Sequence, residues 1–248
     1  MWIHEKKKLI YLCNPKCGSQ TLLAALKRHG FINFIGEPRL RASCRGRGRG
    51  HGRAIETAIE KYNGNWMHAC MKTIVKFMTV IGKNPYDYKY FTVIREPIDR
   101  LISNFNYCKF DKDWHAFYCG PGEINTKNAL LDFSKEFNYT YNGKYNYTIN
   151  DYLSIGLEKS ANLCTHPMPI IDYTEILDKR FDISIFKLEN LNELKKFLDS
   201  YDICFDINCK LNSREYDSFK IRNTITKENI DNIRNIYKYE YTYYYKIF

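Results

Sequence analysis

Four residues that can hold an anion fall within one short stretch, Asn14-Pro15-Lys16-Cys17-Gly18-Ser19-Gln20-Thr21. Lys16 brings a positive charge, Ser19 and Thr21 bring hydroxyl donors, and Gly18 lets the backbone come close to a ligand. The apolar run before the stretch stops at Cys13, and a helical pattern begins after it. A strand–turn–helix unit aims the N–H groups of the helix start, and the positive end of its dipole, at whatever sits in the turn, so an anion is the natural occupant. The spacing is not that of the common nucleotide loop G-x-x-x-x-G-K-[ST], because here the lysine precedes the glycine and no Ser or Thr directly follows the lysine. An ordinary helix start without a ligand accounts for the same residues.

A second stretch, "FTVIREPIDRLISNF" over 91–105, places Arg95 where a strand ends. Ligands of open α/β sheets gather at the carboxyl ends of strands, and a guanidinium there can grip a phosphate with two hydrogen bonds. Ser103 follows about two helical turns later and can face the same ligand. Arg100 can do so too, or can pair with Glu96 or Asp99. A surface Arg-Glu-Pro turn is the plainer alternative.

The elements that must position these residues are legible as periodicities. Residues 7–13 read as a buried strand and 19–29 as a helix with Leu22, Leu23 and Leu26 on one face, closed by Gly30; 31–35 fits a second strand. Residues 54–62 read as a short helix, 66–70 as a strand and 72–81 as a helix. The strand 89–95 is bounded by "NPYD" before it and Pro97 after it, and Pro97 suits the first turn of a helix over 97–108. Further on, 126–137 and 148–159 fit helices, 182–189 a strand, 191–198 a helix and 226–238 a last helix. Strand–helix alternation predicts a largely parallel sheet with helices on both faces. No repeat or linker interrupts the 248 residues, which predicts a single domain over 1–248.

Composition narrows the class. Hydrophobic residues make up 44% and charged residues 27%, as in a globular protein. No apolar run approaches the ~18 residues of a membrane span, and the polar N-terminus does not read as a signal peptide. The nine cysteines form no C-x-x-C pair and no zinc-finger spacing, so reduced thiols in a cytoplasmic setting and no metal are expected. The formal net charge of +10 favours anionic partners such as phosphorylated cofactors, acidic sugars or nucleic acid.

Taken together, "NPKCGSQTL" and "IREPIDRLISNF" resemble two motifs of the PAPS-dependent sulfotransferases (PAPS is 3′-phosphoadenosine 5′-phosphosulfate), in the Golgi-type carbohydrate branch that includes heparan sulfate 2-O- and chondroitin/dermatan 4-O-sulfotransferases. The first is similar to the 5′-phosphosulfate loop P-K-[TC]-[GA]-[ST]-[ST]-[ST], from which Gln20 departs. The second is similar to the 3′-phosphate motif R-[DEN]-P-x-[DE]-R-[LF]-x-S-x-[FY]. Segments 185–198 and 225–244 echo the family's later strand–helix unit and closing helix. The resemblance implies a P-loop-like three-layer α/β fold with a central parallel sheet flanked by helices. Lacking the Golgi anchor, the chain looks like a soluble microbial or viral homologue.

The resemblance also implies roles. Lys16 would bind the 5′ phosphate and neutralise the leaving oxygen. The backbone from Cys17 through Gly18, Ser19, Gln20 and Thr21 would hold the phosphosulfate, and Arg95 with Ser103 the 3′ phosphate, leaving 3′-phosphoadenosine 5′-phosphate (PAP) as product. A hydroxyl acceptor needs a general base, usually His or Glu in this family. His68, at the end of "NWMHAC", is the first choice, and His51, in "RGHGRA", the second. His166, in "LCTHPMP", suits the acceptor cleft. Arg45, Arg47, Arg49 and Arg53 lie in a Gly/Arg-rich segment that could clamp an anionic carbohydrate or contact nucleic acid; no aromatic residue interleaves them, which weakens the nucleic-acid reading.

Overall fold

The computed structural model describes residues 2–33, 71–110, 148–154, 181, 183–208 and 218–247. In chain order its main elements are β1 (Trp2–His4), β2 (Leu9–Leu12), α1 (Ser19–Arg28), β3 (Ile32–Asn33), α2 (Met71–Val80), β4 (Lys89–Ile94), α3 (Pro97–Phe110), α4 (Ile149–Ser154), β5 (Ile183–Lys187), α5 (Leu191–Asp199), α6 (Ser218–Arg222) and α7 (Lys227–Ile236). A helical turn, Lys238–Glu240, and a π-helix, Tyr241–Tyr245, follow. The chain divides into two compact units, Met1–Arg95 with Ile170–Arg214, and Glu96–Pro169 with Glu215–Phe248.

The first unit holds a five-stranded sheet in the order β3-β1-β2-β4-β5. β2, β4 and β5 run parallel, in register Leu12↔Thr92 and Thr92↔Ile185. β1 is antiparallel to both β2 and β3, so the expected parallel sheet carries an antiparallel edge. Strand alternation sorts the core onto two faces. Leu9, Tyr11, Phe91 and Val93 pack with Leu22, Leu23 and Leu26 of α1 and Leu194 and Leu198 of α5. Ile3, Ile10, Leu12 and Tyr90 pack with Met71, Ile74, Phe77 and Met78 of α2. The sheet is therefore covered on both faces, and each leucine buried by α1 contributes roughly 1.5–3 kcal/mol. The α1 face is the one its leucine spacing predicts. Lys27 and Arg28 sit favourably in its last turn, and Gly30, at φ 87, ends it as Phe31 N donates to Leu26 O.

The described residues of the second unit are mainly helical. Ile98, Leu101, Ile102 and Phe105 on α3 bury against Tyr152 and Leu153 of α4, Ile233 of α7, and Tyr237 and Tyr241. Asn104 crosses this core to donate to the Tyr152 hydroxyl at 2.8 Å. Thr226 caps α7, its hydroxyl accepting from Asn229 N.

Candidate functional site

β2 delivers the chain to the anion loop, and two hydrogen bonds tie that delivery to β4. Thr92 donates to Leu12 O at 2.8 Å, and the buried Asn14 amide donates to Val93 O at 3.2 Å. Both strands end at the same edge of the sheet, so the loop after Leu12 and Arg95 after Ile94 are neighbours there. The backbone then passes through two left-handed residues, Lys16 at φ 62 and Gly18 at φ 72. That conformation costs an L-residue roughly 1–2 kcal/mol, and strain of this kind collects at ligand-binding turns. Gly18 is favoured twice over. Its φ strains any L side chain, and a Cβ there would lie 2.7 Å from Leu188 Cδ1, in the turn after β5, so that the leucine tip would have to shift.

Gly18 is also the N-cap of α1, and as glycine it offers no capping oxygen; no acidic residue stands in the first turn. The start of α3 differs, because the Glu96 carboxylate accepts from Asp99 N at 2.9 Å and supplies the anion itself. Of the two helix starts in the motifs, the first is the one suited to an external anion.

The loop side chains divide by environment. Ser19 is buried, with its hydroxyl within hydrogen-bond reach of the Cys13 thiol. Burial pushes that thiol up to about 11, so it is protonated at neutral pH. Cys17 is buried and its Sγ donates to Pro15 O at 3.3 Å. Gln20 is exposed, while Lys16 and Thr21 are half-buried. Where the motif expects a hydroxyl, the glutamine side chain therefore faces solvent.

Arg95 is half-buried and has no hydrogen-bond or ion-pair partner among the described residues. Its charge is available to a ligand at the sheet edge. Ser103 sits half-buried on α3, in the second unit. Arg100 has a sequence-distant ion-pair partner among the described residues. It is fully buried, with its guanidinium 3.4 Å from Glu240 Oε1 and over the Tyr237 ring at 5.1 Å. Glu96 and Asp99 pair instead with Arg222, at 3.0 and 3.1 Å. His51, His68, His166, Arg45, Arg47, Arg49 and Arg53 lie outside the described residues.

Sequence reasoning missed two residues that shape the loop, Asn14 and Leu188. A polar residue directly after a buried apolar run was the signal for Asn14; Leu188 gave none, because its contact with Gly18 joins distant parts of the chain.

A family model described as the sulfotransferase family matches residues 1–246. The chain belongs to the sulfotransferase family. Neither the curated proteins nor the solved structures yield a match. Membership assigns sulfuryl transfer in general; in this sulfotransferase a left-handed lysine and an acid-free helix start follow β2, and the arginine at the end of β4 has no ion-pair partner among the described residues. Among its described residues no helix is long and apolar enough to cross a membrane, and no group of three or more His, Cys, Asp or Glu is arranged for a metal ion.

Proposed function

We propose that this sulfotransferase transfers a sulfuryl group from PAPS to a hydroxyl of a carbohydrate acceptor, on a P-loop-like site. The observation that carries the reading is the turn at Lys16–Gly18, left-handed at both residues and opening an uncapped, acid-free helix beside the end of β4. When bound, PAPS supplies an activated sulfuryl group on a phosphate leaving group. The chain's part is positioning and charge compensation, as in phosphoryl transfer. Lys16 neutralises the negative charge that develops on the leaving oxygen. The N–H groups at the start of α1 hold the phosphosulfate, and Gly18 gives them close approach. Arg95 grips the 3′ phosphate, with Ser103 assigned to the same group by the motif. His68 takes the acceptor proton, with His51 the alternative base. Arg45, Arg47, Arg49, Arg53 and His166 are assigned to binding an acidic acceptor.

The experiment is transfer of labelled sulfate from PAPS to a panel of acidic and neutral glycans. Label should appear on at least one glycan, and His68→Ala should abolish turnover while PAP binding persists. Turnover surviving in His68→Ala but lost in His51→Ala moves the base to His51. Absence of transfer to any hydroxyl acceptor by a PAP-binding protein contradicts the carbohydrate reading.

A further inference from the structure

The "REPIDR" turn carries two carboxylates directly after the arginine assigned to the 3′ phosphate, which is an awkward arrangement for binding an anion. Glu96 is joined to Arg95 by one peptide bond, and Asp99 follows one helical turn later. Charges act on one another over about 10 Å at ordinary ionic strength, and the chain itself keeps Glu96 next to Arg95. Arg222 answers both carboxylates. Its Nη1 donates to Glu96 Oε2 at 3.0 Å and to Asp99 Oδ1 at 3.1 Å. The other Glu96 oxygen accepts from the Tyr241 hydroxyl at 2.6 Å, and Oε2 also accepts from Asp99 N. Glu96 is thus held through both oxygens and turned to its own helix start. Arg100, the other cation of the turn, is fully buried with its guanidinium 3.4 Å from Glu240 Oε1.

We infer that Arg222 is a positioning residue for donor binding, which masks the Glu96 and Asp99 carboxylates so that Arg95 presents a net attractive charge to the 3′ phosphate. This rests on the PAPS reading above. Arg222 touches no reacting atom; it acts through the two carboxylates. The role is electrostatic, so it depends on charge, weakens with salt, and is replaceable by removing the charge that it masks. A purely structural tie would show none of these properties.

The test is calorimetric titration with PAP at 50 and 500 mM salt for the wild type, Arg222→Gln, Arg222→Lys, Asp99→Asn and the double variant Arg222→Gln/Asp99→Asn, each checked for folding by circular dichroism. Arg222→Gln should bind PAP roughly fivefold more weakly at the lower salt, with a gap under about twofold at the higher. Arg222→Lys keeps the charge and should stay within about twofold of wild type, as should the double variant. Asp99→Asn alone should bind at least as tightly as wild type, a result that holds even if Arg222→Gln does not fold. Equal binding by wild type and Arg222→Gln, no recovery in the double variant, or weaker binding by Asp99→Asn overturns the inference and leaves the PAPS reading standing. A wild type that does not bind PAP overturns both.

Discussion

Gly18 and Lys16 sit in the same backbone region for opposite reasons. Glycine adopts φ 72 without a penalty, whereas Lys16 holds φ 62 against one. Gly18→Ala adds a Cβ into the Leu188 side chain and forces the left-handed conformation on an L-residue. We expect it to cost about 1–2 kcal/mol in thermal or urea unfolding and to weaken PAP binding more than tenfold by displacing the N–H groups of α1; unchanged affinity would show that the turn does not hold the nucleotide. The two thiols of this region differ from Cys204 in exposure. Cys13 and Cys17 are buried and Cys204 is exposed. At pH 7.5 the Cys13 thiol, pushed up to about 11 by burial, is protonated, and reactivity requires the thiolate. Native-state labelling with iodoacetamide, read by mass spectrometry, should therefore modify Cys204 while sparing Cys13 and Cys17. Labelling of Cys13 at the rate of Cys204 would contradict its burial.

At the scale of elements, α3 is fixed by its polar residues as much as by its apolar face. Its Arg100 pairs with Glu240 where both are fully buried. Removing one partner of such a pair leaves an uncompensated charge and costs about 3–5 kcal/mol. Arg100→Ala should therefore show its main effect in unfolding experiments; if it instead folds with wild-type stability and loses PAP affinity, Arg100 is a ligand residue after all. The parts of this arrangement that were legible in the sequence are those set by short-range pattern. The leucines of α1, the strand Lys89–Ile94 and Pro97 at the head of α3 announce themselves through periodicity and local backbone chemistry. β1 did not, because three residues before a Glu-Lys-Lys-Lys turn carry no measurable alternation, and the antiparallel edge of the sheet went unread with it. The partners of Glu96, Asp99 and Arg100 were illegible for another reason. The nearest candidates in sequence were each other, whereas the actual partners, Arg222 and Glu240, lie more than a hundred residues away. Local reasoning chooses the nearest opposite charge, and tertiary packing overrode it.

For the whole molecule, tyrosine burial sets a limit on the alkaline side. Tyr88, Tyr90, Tyr241 and Tyr244 all have their hydroxyl pKa raised, first by burial; for Tyr241 the neighbouring Glu96 carboxylate adds to the effect. In the unfolded chain a tyrosine loses its proton near pH 10. The folded state resists that loss, so the contribution of these groups is fully present below about pH 10 and is lost as pH rises further. Melting temperature should hold steady up to that point and fall steeply beyond it, and Tyr241→Phe should make the fall shallower. A melting temperature flat to pH 11.5 would contradict the burial of these hydroxyls. The motifs of the site were legible because their chemistry demands fixed residue types at fixed spacing, whereas an acceptor cleft has no such code, and segments such as 39–53 and 109–147 carry no pattern that names a sugar. The central claim is therefore best tested on the donor side, by calorimetric titration of the wild-type chain, Lys16→Ala and Arg95→Ala with PAP, ATP and a single-stranded RNA. The account predicts that wild type prefers PAP to ATP and RNA, and that both substitutions weaken PAP binding at least about tenfold, or 1.4 kcal/mol. ATP bound as tightly as PAP, or PAP affinity untouched by either substitution, would contradict it.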